Sequence, residues 1–242
     1  MPRRESAVGG RGVVTGSRRI PACAAVVATL LLACGATEPE PRQVEWVQLT
    51  LESGEVLDIA VLRPESAPKG VVVAFPWGAG DAGLLLGMMQ AYWDPVAPDA
   101  GYAVVGVVAY GPGLARTGRE VMTAVLGWVD ENLGGAGDKV VMTGASAGGV
   151  GVFHAALAVP GRVGGIIAMP GRYSGEASLE VLADAAVWMM VGEGDTNWVG
   201  RSEATAEQLK AAGVAVTHEV LAGQGHVLRV SQDALVRWIE EH

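Results

Sequence analysis

Short apolar, β-branched segments recur along this chain at 70–75, 102–110, 138–143, 163–169 and 186–192, and the intervals between them leave room for helices. A continuous apolar run of five to seven residues suits a strand buried on both faces of a sheet. Helical spacing occupies residues 82–92, 116–132, 146–157, 201–212 and 231–240, with a shorter helix at 179–184. In the second of these, Val121, Ala124, Val125 and Val129 fall on one face, as a helix packed on a sheet requires. One more strand is expected at 215–221. Strands that alternate with helices pair in parallel through right-handed crossovers. Residues 46–51 and 56–62, on either side of Ser53-Gly54, read instead as an antiparallel hairpin. The expected fold class is therefore α/β: a three-layer α/β/α sandwich with a mostly parallel sheet and an antiparallel N-terminal hairpin. Ligands of such sheets bind where the strands end at their carboxyl termini, so the loops after strands hold the chemistry.

Residues 1–33 stand apart from this pattern. Five arginines and one glutamate fall there, which leaves 12 basic against 25 acidic residues in the remainder of a 242-residue chain of net charge -9. An acidic domain lacks the positive footprint of a nucleic-acid binder. The basic stretch 1–19 is followed by an uncharged apolar run from Ile20 to Ala33, the order of n-region and h-region in a signal peptide. The run is short for a membrane span, which needs about 20 residues. It closes on Leu31-Leu32-Ala33-Cys34-Gly35, which resembles a bacterial lipobox. The resemblance implies cleavage before Cys34, a diacylglyceryl group on its thiol, and a protein exported and anchored to the cell envelope. Residues 34–43, rich in Pro and Glu, read as a tether, and 44–242 as one domain. Cys23 and Cys34 are the two cysteines, so residues 35–242 contain neither a disulfide nor a thiolate metal site.

Gly144-Ala145-Ser146-Ala147-Gly148-Gly149 lies between an expected strand and an expected helix. In that context G-x-S-x-G describes a sharp turn that lifts the serine above the sheet edge and sets it against the free N–H groups of a helix N-terminus. Ser146 is the expected nucleophile, and the Ala147 N–H one donor to a developing oxyanion. A serine so placed needs a base and an acid, which follow in the chain order Ser, Asp or Glu, His. Of four histidines, His154 falls in the helix after the turn, His218 in a strand, and His242 at the last residue. His226 lies in a loop after the last strand and is the expected base. Asp195 and Glu193 both follow strand 186–192. Asp195 is preferred, because a turn at Gly194 lifts it toward the His226 loop.

The Gly-rich stretch Trp77-Gly78-Ala79-Gly80-Asp81-Ala82-Gly83 after strand 70–75 can turn backbone N–H groups inward. Here the sequence resembles the carboxylesterase and acyl-protein-thioesterase branch of the α/β hydrolases, whose loop reads His-Gly-x-Gly-Asp-x-Gly. Gly78, Gly80, Asp81 and Gly83 match that pattern, and Trp77 stands where the family has His. The elbow, Met169 to Tyr173, Gly192 to Asp195 and Gly223 to His226 resemble the same family. Dienelactone hydrolases, polyhydroxybutyrate depolymerases and feruloyl esterases share much of the outline. The resemblance implies a second oxyanion donor at Ala79, beside Gly78, and a serine esterase acting on small carboxylic esters. Thioesterase, amidase or peptidase action on the same triad stays open, as does a lipid-anchored binding protein on a hydrolase fold. No long insertion separates the strands, which argues against a large lid. Trp77, Tyr173 and Trp198 are expected in loops at the catalytic edge, lining the substrate pocket. Acyl transfer to serine calls for no cofactor and no metal.

Overall fold

The computed structural model of the protein describes residues 43–134 and 138–242. Residues 1–42, on which the expected signal peptide, Cys34 and most of the expected tether fall, lie outside the described residues. Eight strands form one sheet: β1 Glu45–Thr50, β2 Val56–Leu62, β3 Gly70–Phe75, β4 Tyr102–Val107, β5 Val140–Gly144, β6 Val163–Ala168, β7 Ala186–Gly192 and β8 Ala215–Leu221. Their spatial order is β1-β2-β4-β3-β5-β6-β7-β8. β1, β2 and β4 pair antiparallel, and every pair from β4 through β3 to β8 is parallel. The helices are α1 Ala82–Tyr92, α2 Val96–Asp99, α3 Leu114–Asn132, α4 Ala147–Ala158, α5 Thr196–Ala211 and α6 Gln232–Glu241.

Alternation along each strand sorts its side chains into two cores. Val71, Val73 and Phe75 of β3 join Ile59, Val61 and Val105 under α3, α4 and α5. Val72 and Ala74 of the same strand join Ala60, Leu62 and Val104 under α1, α2 and α6. Both faces of the central strands are thus covered, which is why their sequences are apolar throughout rather than alternating. Val121, Met122, Val125 and Val129 form the buried stripe of α3. Each such side chain, fully buried, contributes roughly 1.5–3 kcal/mol of hydrophobic stabilisation.

Among the boundaries that differ from the sequence expectation, three bear on the carboxyl edge of the sheet. β4 ends at Val107 rather than 110: Ile59 with Val107 is its last pair on β2, Val108 N–H donates to Asp58 O as the final link, and the rest of β2 down to Val56 pairs with β1 alone. α3 starts at Leu114, two residues early, led in by a 3₁₀ turn over Gly111–Gly113. α5 starts at Thr196 instead of 201, since Trp198 and Val199 both donate their N–H groups to Asp195 O. Trp198 therefore lies in a helix, not a loop. α2 was not expected; it is four residues long and contains Pro98.

Candidate active site

β5 ends at Gly144 and α4 begins at Ala147, so two residues make the turn. Ser146 has φ 55° and ψ -113°, and among the described residues it is the one non-glycine with positive φ. Such a conformation costs on the order of 1–3 kcal/mol and persists where surrounding structure imposes it. Here Ser146 N–H donates to Pro170 O at 2.8 Å and Ser146 O accepts from Val150 N–H at 3.0 Å. The turn also demands glycine. A Cβ on Gly144 would lie 2.2 Å from Gly148 O, and one on Gly148 2.1 Å from Phe75 O. Strand, turn and helix meet backbone to backbone, which pushes the Ser146 side chain out above the sheet.

The loops after β7 and β8 meet above the same edge. His226 Nε2 lies 2.8 Å from Ser146 Oγ, and His226 Nδ1 lies 2.5 Å from Asp195 Oδ2. This network is consistent with one tautomer: Nδ1–H donates to the carboxylate, and Nε2 accepts from the serine hydroxyl. The Asp195 side chain is 10% exposed and that of His226 41%, so the carboxylate is set behind the ring and the ring faces the open site. Asp195 is also the N-cap residue of α5, yet its side chain makes no cap hydrogen bond; it is turned to His226 instead. Glu193, the rival, does something else. Its carboxylate accepts the Gly223 N–H at 2.9 Å, while Glu193 N–H donates to Leu221 O and Gly194 N–H to Gln224 O. Glu193 thereby braces the two loops against each other. Gln224 closes the histidine loop, accepting from Arg229 N–H at 2.7 Å and donating to Arg229 O at 3.3 Å.

The loop after β3 approaches from the other side. Gly78 and Gly80 both take positive φ, 63° and 80°, in a turn that lets Gly80 N–H donate to Trp77 O. Asp81 then caps α1 by accepting the Leu84 N–H at 2.9 Å. Ala147 is the first residue of α4, where helical geometry offers its N–H no acceptor. A cavity of about 260 Å³ opens between these parts, lined by Trp77, Gly78, Tyr92, Ser146, Met169 and Val227, among others. Its walls are largely apolar. Trp77 meets Tyr92 edge-on at 6.2 Å, and the Tyr92 hydroxyl donates to Leu228 O, linking α1 to the histidine loop.

The sequence matches no known protein family, and no curated protein matches it. Solved structures do. A thermostable esterase superposes with a TM-score of 0.65 at 16% identity over 82% of this chain, which spans 62% of that protein. Acetyl xylan esterase from Aspergillus awamori gives 0.65 at 13% identity, covering 83% of this chain and all of that one. Dienelactone hydrolase from Anabaena variabilis gives 0.60 at 18% identity over 82% and 95% of the two chains. At such identities the likeness is one of fold. This is the α/β-hydrolase fold.

Within that α/β-hydrolase frame, Ser146, Asp195 and His226 come together at the carboxyl edge of the sheet, and Gly78 faces the cavity beside them. Ala79 does not line the cavity. Of the three aromatics expected there, Trp77 lines it. Trp198 stands outside its lining and packs on the His226 ring, centroids 5.3 Å apart. Tyr173 lines a second cavity of about 410 Å³, with Arg116, Arg119 and His154. Its N–H donates to Thr205 Oγ1 and its ring lies against Phe153, which draws it down onto α4 and α5. Tyr92, Met169, Pro170 and Val227 line the cavity beside Ser146 without having been expected to. Tyr92 reads as the apolar end of a helix, and no periodicity reveals that its ring closes a pocket. The other histidines are occupied elsewhere: His154 is half-buried beside Tyr173, and His218 lies 3.1 Å from Ser202 Oγ.

Proposed function

We propose that this protein is a serine hydrolase that cleaves small carboxylic esters through an acyl-enzyme. The observation that carries the reading is the continuous relay from Ser146 Oγ through His226 to Asp195, at 2.8 and 2.5 Å, opening on an apolar cavity. In this reading His226 Nε2 takes the Ser146 proton as Oγ bonds to the acyl carbon. The Ala147 N–H and a second amide of the 78–79 loop stabilise the oxyanion. The acyl carbon–oxygen bond then breaks, and His226 gives its proton to the departing alcohol. Water, deprotonated by the same imidazole, releases the acid and restores Ser146. Asp195 holds the imidazole in the useful tautomer and stabilises its charged form. Esterases among the structures of like fold agree with this reading.

A cavity of about 260 Å³ is at the small end of ligand sites, which run roughly 300–1,000 Å³, and favours short acyl groups. With residues 36–242, p-nitrophenyl acetate and butyrate are expected to turn over faster than the octanoate. Ser146→Ala should lose about four or more orders of magnitude in kcat. Equal turnover by wild type and Ser146→Ala would remove the nucleophile from the account. A p-nitroanilide or thioester cleaved faster than the matched ester would move the substrate class, not the triad.

The reading extends to location. The basic n-region, the apolar run to Ala33 and Leu31-Leu32-Ala33-Cys34 support an exported protein held to the envelope by a lipid on Cys34, with a small ester as its substrate and no role for nucleic acid.

A further inference from the structure

The cavity that Tyr173 lines is larger than the one beside Ser146, about 410 Å³ against about 260 Å³, and its walls are of another kind. Arg116 and Arg119 line it from the first two turns of α3, His154 from α4, and Tyr173 and Glu176 from the loop after β6. Ser146, Asp195 and His226 take no part in its lining. Its cations are uncompensated. Arg63, Lys69, Arg162 and Lys210 each meet a carboxylate. Arg116 and Arg119 form neither an ion pair nor a hydrogen bond among the described residues, in a protein of net charge -9. Three positions apart on one helix, they repel each other. They also sit at a helix N-terminus, where the dipole disfavours cations, and the first turn of α3 holds no acid. His154 is half-buried against the Tyr173 ring, centroids 5.7 Å apart, and its nitrogens have no hydrogen-bond partner among the described residues. Burial and the charge of Arg172 both lower its pKa, so the imidazole is neutral and offers one N–H. An anion set among these groups relieves the repulsion, complements the helix end and gives the imidazole a partner.

We propose that this second cavity is a binding site for a phosphate monoester whose organic part carries hydroxyl groups, as a sugar phosphate does. Two planar guanidinium forks suit a group with three free oxygens better than a carboxylate with two, and the His154 N–H adds a further donor. Glu176 lines the same cavity and can only accept hydrogen bonds, so it takes hydroxyl donors and repels a second anionic group. Leu157 and the Tyr173 ring supply apolar wall for a carbon skeleton. At about 410 Å³ the cavity falls within the roughly 300–1,000 Å³ of small-molecule sites, room for the organic part as well as the phosphate. The site is independent of the chemistry at Ser146, and binding there breaks no bond.

The test is calorimetric titration of the full-length protein at low ionic strength with glucose 1-phosphate, methyl glucoside and inorganic phosphate. Glucose 1-phosphate should bind one site, tighter by about tenfold or more than either of the other two. The double variant Arg116→Gln, Arg119→Gln should weaken it by about tenfold or more. Both side chains are exposed, so that variant should keep the wild-type thermal midpoint. Ser146→Ala leaves this cavity intact and should bind as the wild type does. No saturation by glucose 1-phosphate up to about 10 mM overturns the proposal. So does an affinity unchanged in the double arginine variant, and so does binding lost in Ser146→Ala, which would put the ligand in the other cavity. Inorganic phosphate bound as tightly as the ester would overturn the assignment of a hydroxylated organic part. Each of these outcomes is read without ester hydrolysis, so none depends on the serine-hydrolase reading.

Discussion

At the scale of single residues, two carboxylates two positions apart divide the work. Asp195 Oδ2 meets His226 Nδ1, and Glu193 holds the Gly223 N–H. Asp195→Asn should lower kcat by about four orders of magnitude, because an amide favours the wrong imidazole tautomer. Glu193→Gln keeps an acceptor for Gly223 and should change kcat by less than about tenfold. Steady-state kinetics on p-nitrophenyl butyrate checks both, and a larger loss in Glu193→Gln would reverse the assignment. That Ser146 and His226 would face each other was legible from the order of residues and the strand-to-helix context. The choice between Asp195 and Glu193 rested on one turn at Gly194. Tyr92 and Val227 were not legible, because their role depends on which helix end and which loop fold over Ser146. Tyr173 misled because a tyrosine in a loop gives no sign that Thr205 and Phe153 draw it inward.

At the scale of elements, the central strands were read to within a few residues, since burial on both faces leaves an unbroken apolar signature. Helix starts were less legible. α5 begins early because Asp195 supplies the first helical acceptor, and no apolar period marks that turn. The early start matters, for it puts Trp198 against His226. The contact between α5 and β8 carries its own consequence. Burial, partly opposed by Glu203, holds His218 below its ordinary value, and its ring lies 3.1 Å from Ser202 Oγ. The unfolded chain therefore binds more protons than the folded one once pH falls below about 6.5. Stability from this neutral histidine is complete above that pH and is lost as pH falls toward the lowered folded value. His154, lowered by burial and by the charge of Arg172, acts in the same direction. Urea midpoints at pH 7.5 and 5.5 should differ less in His218→Gln than in the wild type. An unchanged difference would mean His218 is not among the groups responsible.

At the scale of the whole molecule, a sheet covered on both faces presents its carboxyl edge as the place where five loops converge, and all the proposed chemistry lies there. The arrangement of layers and the parallel pairing were legible in the alternation of strand and helix. The spatial order, with β4 inserted between β2 and β3, was not, since pairing partners leave no mark in a run of valines. The proposed lipid anchor on Cys34 leads to a prediction of its own. Cells expressing the full chain should incorporate labelled palmitate into it, and Cys34→Ala should abolish both that label and membrane sedimentation. Label retained in Cys34→Ala would place the lipid elsewhere or remove it from the account.

The proposed serine-hydrolase function requires that Ser146 be a nucleophile activated by His226. Intact-mass and peptide analysis after reaction with diethyl p-nitrophenyl phosphate tests it most directly, because Oγ must displace p-nitrophenolate to form a serine–phosphorus bond. A single diethylphosphoryl group on the peptide containing Ser146, formed in the wild type and far more slowly in His226→Ala, is the predicted result. A wild type left unmodified, or modified at another residue while Ser146 stays free, would contradict it.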